Sequence, residues 1–141
     1  MTTVAVSGGF DPIHIGHVRL LQEARALGDK LVVILNNDSW VRQKKGYVFM
    51  NENERKAVLE AVRWVDEVII SHHPVNGQDM SVCAELEQLK PDIFANGGDR
   101  KPDGDPVPEV ELCERLGIKL VYNVGGEKTQ SSSELVKRVK N

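Results

Sequence analysis

The stretch Val4-Ala5-Val6-Ser7-Gly8-Gly9-Phe10-Asp11-Pro12-Ile13-His14-Ile15-Gly16-His17 constrains this chain more than any other. It reads as a short buried strand, a glycine turn, two histidines at i and i+3, and a helix. That is how a nucleotide-binding α/β unit begins. Gly8 and Gly9 carry no side chain, so backbone N–H groups there can approach a ligand closely. Pro12 stiffens the turn. Gly16 opens a helix whose free N–H groups and dipole favour an anion. His14 and His17 are expected to aim ring donors at that same place. A lone histidine is more often a surface or satisfied core residue. Two of them, with three glycines and an aspartate in ten residues after a strand, point to a phosphate site.

Downstream, strand-like and helical patterns alternate. Residues 2–7 are expected as the first strand. Residues 17–27 carry apolar positions at helical spacing, closed by Gly28. Residues 30–35 form a continuous apolar run, which suits a strand covered on both faces. Asp38 is expected to cap a short helix through Val41. Gln43-Lys44-Lys45-Gly46-Tyr47 breaks the periodicity and reads as an exposed, mobile, basic loop. Asn51-x-x-Glu54 has capping-box character ahead of a helix through Val62. Arg55 lies in its first turn, where a cation opposes the dipole and is expected to face an anion or an acid.

Residues 66–71 are the expected third strand. The adjacent His72 and His73 point in different directions and read as loop residues rather than metal ligands. A helix over 81–89 and a strand over 92–95 follow, with Asn96-Gly97-Gly98-Asp99 at that strand's C-terminal edge, where ligands bind in open α/β sheets. Residues 101–108 read as a surface loop, 109–116 as a helix closed by Gly117, and 118–122 as the fifth strand. Ser131 opens the last helix with Glu134 three residues on, a capping box. The same Ser131-Ser132-Ser133 start, with Lys128 nearby, also suits a second phosphate cradle, and the two roles are compatible. The fold class is therefore α/β: a single Rossmann-like three-layer sandwich with a five-stranded parallel sheet and right-handed crossovers, spanning 1–141 as one domain.

Composition narrows the function classes. No apolar run approaches 18 residues, so no membrane span is expected, and the N-terminus shows no basic leader. The two cysteines, Cys83 and Cys113, lack metal-ligand spacing and read as small core residues. A cytoplasmic protein is the expectation. The net charge of −3 argues against a nucleic-acid-coating surface, while leaving room for a local basic pocket.

The stretch Gly8 to His17 resembles the HxGH signature of cytidylyltransferase-like nucleotidyltransferases. The segments Lys44-Lys45-Gly46-Tyr47, Glu54-Arg55 and 63–68 are similar to glycerol-3-phosphate and ethanolamine-phosphate cytidylyltransferases. Lys90-Pro91-Asp92-Ile93 with Gly97-Gly98-Asp99 is similar to the adenylyltransferase that makes ADP-heptose, and Ser131-Ser132-Ser133 falls at the family's Ser-Thr-Thr motif.

The resemblance implies transfer of NMP from an NTP to a phosphorylated small molecule of the sugar- or polyol-phosphate type, with release of pyrophosphate. It implies His14, His17, Lys44 and Arg55 as catalytic residues. Gly8, Gly9, Phe10, Asn96, Gly98, Asp99, Ser131, Ser132 and Ser133 would hold the nucleotide. Asp11, Asp38, Lys45, Arg55 and Lys128 would lie on the substrate side, with Asp11 ordering the turn, and either Lys44 or Lys45 swinging onto the α-phosphate or the acceptor. Mg²⁺ would be bound through the triphosphate rather than a protein cage, and relatives of this size are often homodimers.

The stretch 126–130, Gly-Glu-Lys-Thr-Gln, lacks the arginine that cytidylyltransferases place before the serine motif. Lys128 supplies charge without the guanidinium's geometry, which leaves ATP and CTP both open and leans toward ATP. Two other readings share these residues. A nucleotide-sensing module without turnover uses the same fold but would be expected to lose a histidine or the lysine. His14-Ile15-Gly16-His17 also matches the class I aminoacyl-tRNA synthetase signature, but the KMSKS partner motif and a tRNA-binding domain are missing from this sequence.

Overall fold

The computed structural model describes residues 1–97 and 108–125. In chain order these form β1 (Thr3–Gly8), α1 (Ile15–Arg25), β2 (Lys30–Leu35), α2 (Asp38–Lys45), α3 (Glu52–Glu60), β3 (Glu67–Ile70), α4 (Cys83–Leu89), β4 (Ile93–Ala95), α5 (Pro108–Leu116) and β5 (Lys119–Val121). The expected last helix from Ser131 and all but the final residue of the expected loop over 101–108 lie outside the described residues; Pro108 is the first residue of α5.

The strands form one parallel sheet in the order β3-β2-β1-β4-β5. Side chains alternate between its faces. Val4 and Val6 of β1 and Leu31, Val33 and Leu35 of β2 pack with Leu21 and Ala24 of α1 and Leu59 of α3. Ala5, Ile34 and Phe94 point the other way, onto Leu86 of α4 and Leu112 and Cys113 of α5. Helices thus cover both faces, which is why β2 reads as an unbroken apolar run. The α/β, Rossmann-like expectation for a five-stranded parallel sheet holds.

The connections diverge from β1: β2 and β3 lie to one side, β4 and β5 to the other. That reversal opens a crevice at the C-terminal ends of β1 and β4. Gly8 ends β1, and Asn96 follows β4.

Several boundaries differ from the sequence reading by a residue or two, and three differences have a plain physical reason. Gly28 does not cap α1 in a left-handed conformation; the helix ends at Arg25 with Ala26 as its right-handed C-cap. Gly28 is instead a site of close approach, since a Cβ there would lie 2.7 Å from the Thr2 carbonyl oxygen. Asp38 does not cap α2. Asn37 does, its side chain accepting the Trp40 N–H at 2.9 Å. Finally, α2 continues past Val41 to Lys45 and closes on Gly46 at φ 86°. Lys44 and Lys45 therefore stand on the last turn of a helix, not in a loop.

Candidate active site

The glycine turn runs into α1 through an unusual N-terminal cap built from the two histidines. His14 is the N-cap, and its Nδ1 accepts the Gly16 N–H at 3.1 Å. His17 sits three residues on, and its Nδ1 accepts the His14 N–H at 3.1 Å. This is a reciprocal capping box in which imidazoles do the work usually done by Ser and Glu. A ring nitrogen that accepts carries no proton, so in this geometry both neutral rings carry theirs on Nε2. The rings stack with centroids 3.9 Å apart. Phe10, buried at φ 49°, packs its ring 4.8 Å from that of His17.

The glycines serve this arrangement by leaving room. A Cβ on Gly16 would meet His14 Cε1 at 2.9 Å, and one on Gly8 would meet the Phe10 ring at 3.1 Å. Gly9 lies against Val41 and Trp40, where a Cβ would find atoms at 3.5 and 3.8 Å, so α2 seats directly on the turn.

Arg55 of α3 is the hub beneath. Its side chain is fully enclosed. Nε donates to the Met50 carbonyl at 2.8 Å, Nη1 to the carbonyls of Gly9 (2.8 Å) and Asn36 (2.6 Å), and Nη2 to Asp38 Oδ1 at 2.6 Å. The expectation that it faces an acid is met by Asp38. Its expected grip on an acceptor phosphate is not supported: the guanidinium is turned into the protein, tying the turn, the end of β2 and the start of α2 together. Asp38 is engaged by Arg55 through Oδ1, while its side chain stays a quarter exposed.

Asp11 is completely buried. Its carboxylate accepts the N–H groups of Phe49 (2.7 Å) and Met50 (2.6 Å), so it orders the turn and anchors the segment after α2. This burial removes it from the expected substrate-side set. Lys45 Nζ reaches the Asp11 carbonyl at 3.4 Å, whereas Lys44 is exposed. Both lysines share one helix end that borders the histidine turn.

Asn96 is buried at the edge of β4, its N–H on the Val121 carbonyl and its own carbonyl accepting from Val124 N–H. It joins β4 to β5 at the mouth of the crevice. Gly98, Asp99, Lys128, Ser131, Ser132 and Ser133 lie outside the described residues. Sequence reasoning missed Asn37 and Trp40. Asn37 is as good a cap by type as its neighbour Asp38, and only the strand end separates them. It also missed Asn36, whose Oδ1 is buried with no hydrogen-bond partner among the described residues.

Comparison with known proteins gives the family. The model of the cytidylyltransferase-like family matches residues 5–135. The chain belongs to that family. It is a nucleotidyltransferase. An FAD synthase of Aciduliprofundum boonei is 38% identical over 85% of this chain and 75% of its own length. An FAD synthase of Pyrococcus abyssi is 36% identical over 96% of this chain and 90% of its own. The bifunctional protein HldE of Pelobacter propionicus is 39% identical over 94% of this chain but only 26% of its own length. A solved structure, a lipopolysaccharide core biosynthesis protein of Thermoplasma volcanium, superposes with a TM-score of 0.67 at 32% identity, covering 86% of this chain and 95% of that one.

Among the described residues, no three His, Cys, Asp or Glu side chains are grouped to hold a metal ion. Asp11 and Asp38, the carboxylates nearest the turn, are already committed to N–H donors and to Arg55. No helix among the described residues is long and apolar enough to cross a membrane.

Proposed function

We propose that this nucleotidyltransferase is an adenylyltransferase that joins AMP from ATP to a phosphorylated acceptor, with FMN as the acceptor and FAD and pyrophosphate as products. The observation that carries the reading is the reciprocal histidine cap beside the β1–β4 crevice. Backbone N–H groups donate to both Nδ1 atoms and fix the two rings, which leaves the proton of each neutral ring on Nε2. The FAD synthase relatives, matched over most of their own length, support FMN and adenine.

The chemistry suits these residues. The acceptor's phosphate oxygen is already anionic and attacks the α-phosphorus without a general base. A new P–O bond forms there, the bond to the β-phosphate oxygen breaks, and pyrophosphate departs with the electron pair. Catalysis is then positioning and charge stabilisation. His14 and His17 donate to phosphate oxygens whose charge grows in the transition state. Lys44 or Lys45 adds positive charge from the end of α2. Arg55 and Asp11 hold the turn and helices without touching substrate. A Mg²⁺ ion arriving with the triphosphate would supply counter-charge, and Asp11 and Asp38 are already engaged by N–H groups and by Arg55. The chain acts as one domain on small molecules in the cytoplasm, with a homodimer as the assembly to be tested.

A sugar phosphate is the second reading, favoured by the similarity of Lys90-Pro91-Asp92-Ile93 to the adenylyltransferase that makes ADP-heptose. A pyrophosphate-release screen separates the two. It crosses ATP, CTP, GTP and UTP with FMN, heptose 1-phosphate, glycerol 3-phosphate, ethanolamine phosphate and phosphopantetheine. Release with ATP and FMN, with FAD as co-product, is the expected result. Release only with heptose 1-phosphate transfers the assignment to the second reading. ATP binding without release from any pair would leave a nucleotide-sensing module.

A further inference from the structure

The helix that carries Lys44 and Lys45 is also clasped by the segment that follows β3. Asn37, Trp40 and Gln43 recur every three residues along one face of α2. Each donates from its side chain to a backbone carbonyl of the segment following β3. Asn37 Nδ2 reaches His73 O at 2.8 Å, Trp40 Nε1 reaches Met80 O at 2.7 Å, and Gln43 Nε2 reaches Gly77 O at 2.8 Å. The segment has little apolar anchorage of its own, with Val75 75% exposed. Hydrogen bonds hold it.

His73 is the centre of those bonds. Its Nε2 lies 2.7 Å from the Ser81 carbonyl, which can only accept, so Nε2 carries a proton. Nδ1 lies 2.7 Å from Ser71 Oγ, and in the neutral ring it accepts the Ser71 hydroxyl proton. Ser71 Oγ in turn accepts the N–H of Asn37, the N-cap of α2, at 3.0 Å. A continuous chain therefore runs from the Ser81 carbonyl through His73 and Ser71 to the start of α2. The sequence alone assigned His73 to a loop with no role.

We propose that His73 is a positioning residue of the transfer reaction, acting in its neutral Nε2–H form through Ser71 and Asn37 to fix α2, and with it Lys44 and Lys45, against the glycine turn. The proposal rests on the nucleotidyl-transfer reading of the site. Protonating His73 makes both ring nitrogens donors. Ser71 Oγ must then accept from Nδ1 and from Asn37 together, and its own proton is turned away inside a residue only 3% exposed. The cap of α2 loosens.

The ionised group facing His73 is Asp79. Its carboxylate accepts the N–H of Ser81 (2.9 Å) and its hydroxyl (2.6 Å), and those two bonds hold it below the usual carboxylate range, with the charge of His73 a smaller cause. Those bonds keep Asp79 ionised, so it is not the group that switches. Asn37 and Trp40 of α2, Ser71 and Ser81, the other residues around the ring, do not ionise in that range. His72 is exposed and faces Glu85 at 3.6 Å.

The test uses the whole chain. Nitrogen-15 spectra recorded from pH 8 to pH 5 follow the His73 imidazole and the Trp40 indole N–H, with Trp40→Phe fixing the indole assignment. Pyrophosphate release from ATP and FMN is measured over the same range for wild type, His73→Gln and Ser71→Ala. The expected result is an Nε2–H tautomer at pH 8 and a Trp40 signal that shifts with the His73 midpoint. Ser71→Ala is expected to uncouple that shift and to lower kcat about tenfold at pH 8, the scale of one hydrogen bond, with ATP affinity unchanged. His73→Gln keeps a donor for Ser81 and cannot titrate, so its acid limb of kcat moves to lower pH. An Nδ1–H tautomer, a Trp40 signal indifferent to His73, or a His73→Gln profile superimposable on wild type overturns the proposal. If no nucleotide and acceptor pair releases pyrophosphate, the functional reading fails, and the two spectroscopic outcomes still decide whether His73 governs α2.

Discussion

Arg55 Nη1 donates at once to the Gly9 carbonyl (2.8 Å) and the Asn36 carbonyl (2.6 Å), so one buried nitrogen fastens the glycine turn to the end of the neighbouring strand. The same guanidinium closes on Asp38. Arg55 is thus the fastening of the site rather than one of its ligands. Arg55→Ala leaves three carbonyls and a carboxylate without their donor. Breaking a buried pair from one side costs about 3–5 kcal/mol. Urea unfolding of Arg55→Ala should show a loss of that order; stability close to wild type would return Arg55 to a substrate-facing role.

Gly16→Ala tests the histidine cap without removing a polar group. The added methyl would lie 2.9 Å from His14 Cε1, so the ring must move. A small displacement of a reacting group can cost about a hundredfold in rate. The expected variant is folded by circular dichroism and slowed about ten- to a hundredfold in pyrophosphate release. Full activity would mean that the position of His14 does not matter.

Lys44→Ala and Lys45→Ala, assayed separately, address the end of α2. Removing the lysine that meets the growing charge should lower kcat by about a hundredfold, as for one lost transition-state donor, with a smaller effect on ATP affinity. Lys45 also touches the Asp11 carbonyl, so its loss is expected to affect stability as well. Unchanged turnover in both variants would make the pair a solvated charge run.

Most of the fold was legible because the sheet is covered on both faces. Its strands read as apolar runs and its helices as apolar stripes, and α5 is followed, as its sequence suggests, by Gly117 at a positive φ of 74°. The site was legible where chemistry and spacing coincide, at His14 and His17. It was less so where a side chain serves either of two structural roles. Asn37 and Asp38 are equally good caps by type. Arg55 shows in the sequence that it needs an anion or an acid, but not that Asp38 is the partner or that it is buried. Lys44 and Lys45 look like loop residues because a polar helix end has no apolar stripe to reveal it. The bonds from Asn37, Trp40 and Gln43 to the 73–80 backbone leave no pattern in the sequence, since any residue type offers a carbonyl.

The cysteines give a pH test away from the site. Burial, then the nearby Cys83 and Glu109, push the Cys113 thiol up from 9.0 to about 11; burial also raises Cys83. The thiolate is the reactive form, so iodoacetamide should modify folded Cys113 far more slowly than unfolded chain at pH 8.5. The folded value lies above the unfolded one, so the native state holds its proton longer, and stability falls as pH rises from about 9 to about 11. Rapid labelling of the folded chain would contradict the placement of Cys113 in the core. Cys83→Ser/Cys113→Ser should retain activity within a few-fold, since neither thiol lies in the histidine turn.

The most direct test of the histidine turn as the transfer centre is the kinetics of His17→Ala with ATP and FMN, read beside ATP binding by calorimetry. Removing one donor to the developing charge should cost about 2.7–4 kcal/mol of transition-state stabilisation, a fall of about a hundred- to a thousandfold in kcat, with ATP still bound. Near-normal turnover in a folded His17→Ala chain would contradict the account.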